Sequence, residues 1–329
     1  MATALLVGLG EVGARAARQL ADTPGIDRCL LADRDEGRRD AVASALGDDA
    51  QVVAFQPGDP IPAGVDVVAC ALPAGVHHTV GAAAIDAGVP MASADDAHES
   101  IEHLQALAPN ARSAGVTVAV GCGLAPGLAD VLVRHAADLF ERVEEIAVAR
   151  SGWAGPACVA TTRHELRALV RSRRDGSWHE ERPHGDALVW FPDPIGGRGC
   201  RLVTGGSVLL AEAFPDVPRI SVQLGEPPRR TRFRRRFGDD GEWGAARVDV
   251  WGYRDGSLGC VVYGVVERTA VASGAVLAVA AAGLAAAAGP PLRAPGVHGL
   301  AELAPPGAFL AELAGRGVRA AVFEGVAAG

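Results

Sequence analysis

Lysine is missing from all 329 residues, so the 31 positive side chains are all arginine. That absence excludes a phosphate-loop lysine, a Schiff-base lysine and any lysine acting as catalytic acid or base. Paired cysteines are also missing. Cys29, Cys70, Cys122, Cys158, Cys200 and Cys260 are scattered with no C-x-x-C spacing, which reads as small buried hydrophobes in a reducing compartment rather than a disulfide frame or a zinc site; no metal is expected. No basic leader precedes the first apolar run, so no secretory signal is expected and the cytoplasm is the expected location. Basic charge is in deficit. A net charge of −8 argues against a nucleic-acid binder, whose footprint is basic. The one long apolar run, residues 269–289, is mostly alanine and glycine with no aromatic belt. It reads as a closely packed buried helix, not a membrane span. A single exception to the acidic balance is residues 229–236, with six arginines. Only one aromatic interrupts the run, so it offers no stacking platform for single strands and reads as a solvated or dimer-proximal segment.

What is present begins at once. A short apolar run ends in Gly8-x-Gly10-x-x-Gly13, and an apolar–polar helical pattern follows. Gly8 permits a tight turn, Gly10 lets the backbone approach a pyrophosphate, and Gly13 lets helix and strand pack closely. The helix start at Glu11 and Val12 points backbone N–H groups and its positive dipole end at the phosphates. Asp33 stands 20 residues past Gly13, at the end of a second apolar run, where a carboxylate binds the ribose hydroxyls of NAD. Arg34 directly after it is placed to meet a 2′-phosphate, which leaves NADP open. The competing reading is a glycine-rich turn that binds nothing.

Strand and helix signals then alternate: a helix at 36–46, strands at 51–55 and 65–72, a helix at 77–88, a strand at 90–94, a helix at 98–114 and a strand at 116–120. This is a βαβ series and implies a doubly wound parallel sheet. The pattern changes at Gly121-Cys-Gly-Leu-Ala-Pro-Gly127, after which a helix is expected from Pro126 to about residue 141. Strand-like runs follow at 145–150, 186–191, 219–224, 247–253 and 259–267, with one helix at 161–170. The last two runs flank Asp255-Gly256, a strong hairpin signal. The expected fold is α/β: a first domain at 1–122, a second α+β and largely antiparallel domain at 123–270, and a return at 271–329 that packs on the first.

Several stretches, taken in order, resemble the saccharopine dehydrogenase-like family in its short form. They are Val7-Gly-Leu-Gly-Glu-Val-Gly13, Pro73 through His77 to Pro90, Ala92-Ser-Ala-Asp-Asp96, Gly121 through Asp130, Phe191-Pro-Asp-Pro-Ile-Gly196, Val248 through Gly256, Arg268 through Gly274, and Gly296 through Leu313. The resemblance implies a nicotinamide-binding Rossmann domain, a substrate and dimerisation domain inserted after its sixth strand, a C-terminal return, and a homodimer. It also implies reduction of imines or oxidation of amines of amino-acid substrates, and some relatives use bound NAD without net redox change. One position departs from the pattern. Saccharopine-forming members resemble Gly-Leu-Asp-Pro-Gly in the turn where this chain has Ala125, which puts saccharopine itself in doubt as substrate.

In a doubly wound sheet the ligand lies beyond the carboxyl ends of the strands. Ala71, Leu72 and Pro73 are expected to wall the nicotinamide ribose, and His77 either bonds the cofactor or starts a helix structurally. Asp95 and Asp96 are adjacent and point to opposite sides in an extended segment. One is expected to bind a substrate ammonium or serve as acid/base, unless both simply cap the helix at His98. Cys122, Gly123 and Leu124 are expected to set a helix N-terminus against a substrate carboxylate. Cys122 as a nucleophile is unneeded, and a packed thiol is the simpler reading. Trp153, Arg163 and Glu267 are the substrate candidates from the second domain, with His164 as a reserve proton carrier and Glu165 beside it. Each competes with a merely solvated position. Together these point to an NAD(P)-dependent oxidoreductase working on a C–N bond of an amino acid, opine or derived imine, with a small amine or imine carboxylate as substrate and neither nucleic acid nor membrane as partner. The alternatives are redox-neutral chemistry with bound NAD (a deaminating cyclisation or aminoalkyl transfer) and a non-catalytic NAD-binding protein.

Overall fold

The computed structural model describes residues 2–182, 187–226 and 242–323. The arginine run at 229–236 lies outside the described residues. In chain order the first part is β1 (Ala2–Val7), α1 (Glu11–Ala21), β2 (Ile26–Ala32), α2 (Glu36–Leu46), β3 (Ala50–Val52), β4 (Val67–Cys70), α3 (His77–Asp86), β5 (Met91–Ser93), α4 (His98–Gln105), α5 (Ala108–Ala114) and β6 (Thr117–Val120). Next come α6 (Leu128–Ala137), β7 (Arg142–Ser151), α7 (Pro156–Glu165), β8 (Val170–Arg174), β9 (Ser177–Glu181), β10 (Ala187–Trp190), β11 (Gly197–Val203), α8 (Ser207–Ala213), β12 (Arg219–Gly225), β13 (Trp243–Arg254) and β14 (Ser257–Arg268). The chain closes with α9 (Thr269–Leu284), β15 (Gly296–Gly299), α10 (Leu300–Leu303), α11 (Pro306–Gly315) and β16 (Ala320–Phe323).

The first sheet has seven strands in the order β15-β6-β5-β4-β1-β2-β3, and every pairing in it is parallel. β4 and β6 are buried at every residue, as a strand covered by helices on both faces must be. The order reverses between β1 and β4, so the crevice beyond their carboxyl ends is the switch point where this architecture binds ligands. The second sheet follows the path β10-β11-β12-β7-β13-β14-β16, with β8 branching from β12 and β9 from β8. It is antiparallel except for the β12–β7 pair. It is thus a Rossmann-type parallel sheet joined to a mixed, largely antiparallel one.

Several boundaries differ from the sequence reading, each for a local reason. The helix expected at 98–114 is two, because Pro109 starts a new first turn after Leu107. The helix expected from Pro126 begins instead at Leu128, and the Ala125–Pro126 peptide is cis. The helix expected at 161–170 runs from Pro156 to Glu165, with Pro156 in its first turn and Val170 already in β8. The β8–β9 hairpin turns on Asp175-Gly176, both with positive φ, the same device as Asp255-Gly256 between β13 and β14.

The alanine-rich run forms α9, and fifteen of its sixteen residues are buried. Among the described residues, no helix is long and apolar enough to cross a membrane. α9 lies directly against α1. A Cβ on Gly274 would stand 2.4 Å from the Arg15 Cβ and 3.0 Å from the Val12 carbonyl, so glycine at 274 is what allows the approach. The tail serves both sheets: β15 extends the first beside β6, whereas β16 pairs with β14 of the second. The tail is thus divided between the sheets, the last strand taking the long hairpin as its edge partner.

Candidate active site

β1 ends at Val7 and the chain turns at Gly8, whose φ of +90° favours glycine. The three glycines differ in what surrounds them. A Cβ at Gly8 would lie 2.6 Å from the Ala71 carbonyl oxygen, and one at Gly13 only 1.8 Å from the Gly8 carbonyl oxygen. A Cβ at Gly10 would meet nothing within 4 Å. Gly8 and Gly13 thus close the turn against the strand ends, while Gly10 faces open space at the start of α1. Asp33 secures this turn: its Oδ2 accepts the Leu9 N–H at 2.6 Å and its Oδ1 accepts the Asp35 N–H at 2.9 Å. A carboxylate has about four acceptor positions, so two remain for a diol. Arg34 is exposed beside it.

These features fit a dinucleotide: a backbone concavity with room at Gly10, an N-terminal helix end, and a carboxylate at the second strand end.

Ala71 and Leu72 form the adjacent wall, half-buried, with Pro73 exposed. His77 is fully buried; its Nε2 donates to the Leu72 carbonyl at 2.8 Å and its Nδ1 accepts from Ser93 Oγ at 2.8 Å. The ring shapes the Leu72 wall from behind and does not reach the cleft.

The two aspartates do point apart. Asp95 is buried, its Oδ1 accepting the Ala97 N–H at 3.3 Å and its Oδ2 bonded by Ser100 Oγ, which in turn accepts the Gly75 N–H at 2.9 Å. Asp95 is thus spent on its own loop and, through Ser100, on the Gly75 loop; the N-terminus of α4 itself is met by Glu165, which accepts the His98 N–H. Asp96 faces the other way, toward the second sheet. Arg150 Nη1 donates to its Oδ2 at 3.0 Å, and Cys158 Sγ lies 3.7 Å from the same oxygen. Burial raises the Asp96 pKa, the Arg150 charge opposes that, and the net direction is upward.

Two turns further along α7, Glu165 is buried and accepts both the backbone N–H and the ring Nδ1 of His98, at 3.0 and 2.7 Å, with Oε1. Its Oε2 accepts the Gly205 N–H at 3.2 Å. Burial opposes this charge, but the donors from His98 and Gly205 outweigh it and hold the Glu165 pKa below the usual range. Glu165 is thus the inward-facing member of Arg163-His-Glu165. His164, one residue away and so about 100° around the helix, is exposed and 3.7 Å from Glu99. It is turned to solvent beside Glu99, with no bond to Asp96. Arg163 is half-buried on the same helix.

The loop between β7 and α7 brings Trp153 in. A Cβ on Gly155 would lie 3.1 Å from Glu11 Cγ, and one on Gly152 would lie 2.5 Å from the Gly244 Cα, so the loop is held between the start of α1 and the second sheet. Trp153 is buried and its Nε1–H has no hydrogen-bond partner among the described residues. A buried donor left unpaired costs about 1–3 kcal/mol, which a bound acceptor would offset.

The Gly121–Gly127 turn and the hairpin end are engaged largely by their own contacts. Cys122 is fully buried, its Sγ donating to the Ala119 carbonyl at 3.5 Å, and burial pushes its thiol up to about 12. It is a packed thiol. The turn also consumes its own donors. Leu128 and Ala129 N–H groups bond the carbonyls of Gly123 and Leu124, the Leu124 N–H bonds Ser273 Oγ, and the Gly127 N–H bonds Asp130 Oδ2 at 3.1 Å. These donors are therefore already taken and do not serve a substrate carboxylate. Glu267 accepts the N–H of its own neighbour Arg268 at 2.7 Å, and stands half-buried at the end of the hairpin.

Arg150 and Cys158 are what sequence reading missed. Both sit at ordinary positions, and only the register of β7 and the start of α7 aim them at Asp96. Among the described residues no cluster of three or more metal-ligating side chains occurs. A separate cavity of about 360 Å³ on the second sheet is lined by Ser172, Arg173, Arg219 and Leu202, among others, and by none of the cleft residues.

No family model matches the chain. Among solved structures it is similar to apo saccharopine dehydrogenase (L-Glu forming) from Saccharomyces cerevisiae, at 14% identity and a TM-score of 0.71, covering 98% of this chain and 100% of that one. It is also similar to C. glutamicum DAP dehydrogenase in complex with DAP, at 13% identity and a TM-score of 0.54, covering 92% and 94%. The chain has a saccharopine dehydrogenase-like fold over 98% of its length.

Proposed function

We propose that the protein is a nicotinamide-dependent oxidoreductase that acts at a C–N bond of an amino acid, an opine or the derived imine. The observation that carries the reading is the Gly8–Gly13 turn with Gly10 open and Asp33 bonded to the Leu9 N–H. NAD is the proposed cofactor, held by the α1 N-terminus and Asp33, with Arg34 exposed beside the acid as the means of accepting NADP. When bound, the cofactor supplies or takes the hydride; the chain's own residues bind, orient and move a proton. Leu72 and Pro73 supply the apolar wall, and Asp96 is the proposed acid/base, since Arg150 and Cys158 bond only its Oδ2 while Asp95 is spent on the loop. The fold shared with two proteins whose names record dehydrogenases supports the reaction class.

The proposed assembly is a homodimer through the outer face of the second sheet. Trp243 and Trp251 on β13 are 48% and 43% exposed there, unusually so for tryptophan. Sedimentation of the parent and Trp251→Glu tests this, a monomeric parent being the adverse result.

The activity test has two parts. Titration with NADH and NADPH measures binding, and a panel of amines and imines with each cofactor is followed at the nicotinamide absorbance. Turnover with net absorbance change supports the reading. Turnover with cofactor retained and no net change selects the redox-neutral chemistry instead, and binding without turnover over the whole panel selects a non-catalytic protein.

A further inference from the structure

Asp96 draws its positive partner from the other sheet. Arg150 stands on the inward face of β7, in register with Ala246 and beside Val148, and is only 6% exposed. A guanidinium so buried is costly unless its charge is met, and Asp96 is the carboxylate bonded to it. The reverse dependence is equally strong. The groups facing Asp96 are Asp95 from its own loop, Cys158 and Glu165 from α7, and Arg150 from β7; His98 nearby is engaged by Glu165. Of those groups facing Asp96, only Arg150 brings positive charge.

The bonding is also one-sided. Arg150 and Cys158 both address Oδ2, and among the described residues Oδ1 has no protein hydrogen bond. A guanidinium is planar and always charged, so pinning one oxygen fixes the plane of the carboxylate and leaves the other oxygen as its available base.

We propose that Arg150 is a positioning residue: it reaches across from the second sheet, pins Asp96 Oδ2, holds the group as a carboxylate and presents Oδ1 to the cleft. The inference rests on the reading of Asp96 as the proton-handling group. It assigns to the interface between the two sheets a chemical task as well as a structural one, because any movement that parts β7 from the loop after β5 also releases Asp96 to take up a proton. A proton acceptor poised by a partner that arrives only when the two halves meet is active in the assembled cleft and weak in an opened one.

The test is a titration of the Asp96 carboxyl by NMR of the full chain with isotope-labelled aspartate, the signal assigned by its loss in Asp96→Asn. Arg150→Met should move the Asp96 midpoint upward by about one pH unit or more, the usual effect of removing an opposite charge at this range. Arg150→Lys keeps the charge without the fork, and should return the midpoint most of the way to the parent. Should Arg150→Met fail to fold, Arg150→Gln keeps polar donors without charge and takes the same measurement. A midpoint that stays in place without the charge, or that Arg150→Lys does not restore, overturns the proposal. Failure of the underlying functional reading looks different: Asp96→Asn would turn over normally while the Arg150-dependent midpoint shift remained.

Discussion

Asp33 Oδ2 accepts the Leu9 N–H at 2.6 Å, so the acid at the end of β2 also fastens the turn at the end of β1. With the cofactor site proposed above, one side chain couples the shape of the turn to its ligand. Asp33→Ala removes both functions, while Asp33→Asn can keep its one acceptor oxygen on Leu9 and loses the charge and the acceptor for the Asp35 N–H. Hydrogen bonds to charged groups contribute about 1.5–3 kcal/mol, so NADH affinity should fall roughly tenfold or more in Asp33→Ala, with Asp33→Asn between it and the parent. Fluorescence titration measures this, and unchanged affinity in both variants would remove Asp33 from the site.

The glycines separate folding from binding. Gly13→Ala forces a Cβ to within 1.8 Å of a carbonyl oxygen and should lower the melting temperature markedly. Gly10 has a φ of −67°, which alanine adopts readily, and no neighbour within 4 Å of its missing Cβ. Gly10→Ala should therefore melt like the parent and bind NADH more weakly. Thermal denaturation beside cofactor titration checks both arms; a Gly10→Ala protein with parent affinity would mean that nothing approaches that backbone.

The first sheet was legible because its signals are local: apolar runs of strand length, glycines at fixed offsets and an acid at the expected distance. The site was legible only in part. Adjacent Asp95 and Asp96 could be separated into opposite directions from strand geometry alone, but which protein partners each would take depended on Ser100 and Arg150, 5 and 54 residues away. The Gly121–Gly127 turn misled because a glycine-rich turn before a helix normally leaves donors free, and here Asp130 and the turn's own carbonyls take them. His164 and Glu165 differ by one position in a helix, a distinction that periodicity cannot make without knowing where that helix begins.

Cys158 provides a reporter for Asp96 that needs no substrate. Burial and the Asp96 charge both raise the thiol's pKa, and Arg150 lowers it. Asp96→Asn removes one of the raising influences, so the thiolate fraction at neutral pH should increase and alkylation of Cys158 should quicken by severalfold. The rate is read by peptide mapping against Cys260, the other half-buried thiol. Equal rates in parent and variant would show that the Asp96 charge does not reach Cys158.

Asp130 gives the fold a pH dependence of definite sign. The side chain is buried with a single bond to the Gly127 N–H, and burial raises its pKa to about 7 from an ordinary 3.8. Between those values the folded protein binds a proton that the unfolded chain has released, so stability is greatest below the unfolded value and is lost as the pH rises toward the folded one. At about 1.4 kcal/mol per pH unit, the loss is of the order of 4 kcal/mol across that window. Asp130→Asn keeps an acceptor for Gly127 without the charge. Urea denaturation from pH 4 to pH 8 should give a flatter curve for the variant than for the parent, with the variant the more stable at the upper end. A parent whose stability rises over the same window relative to Asp130→Asn would mean that the folded protein holds Asp130 ionised, with a donor compensating the buried charge.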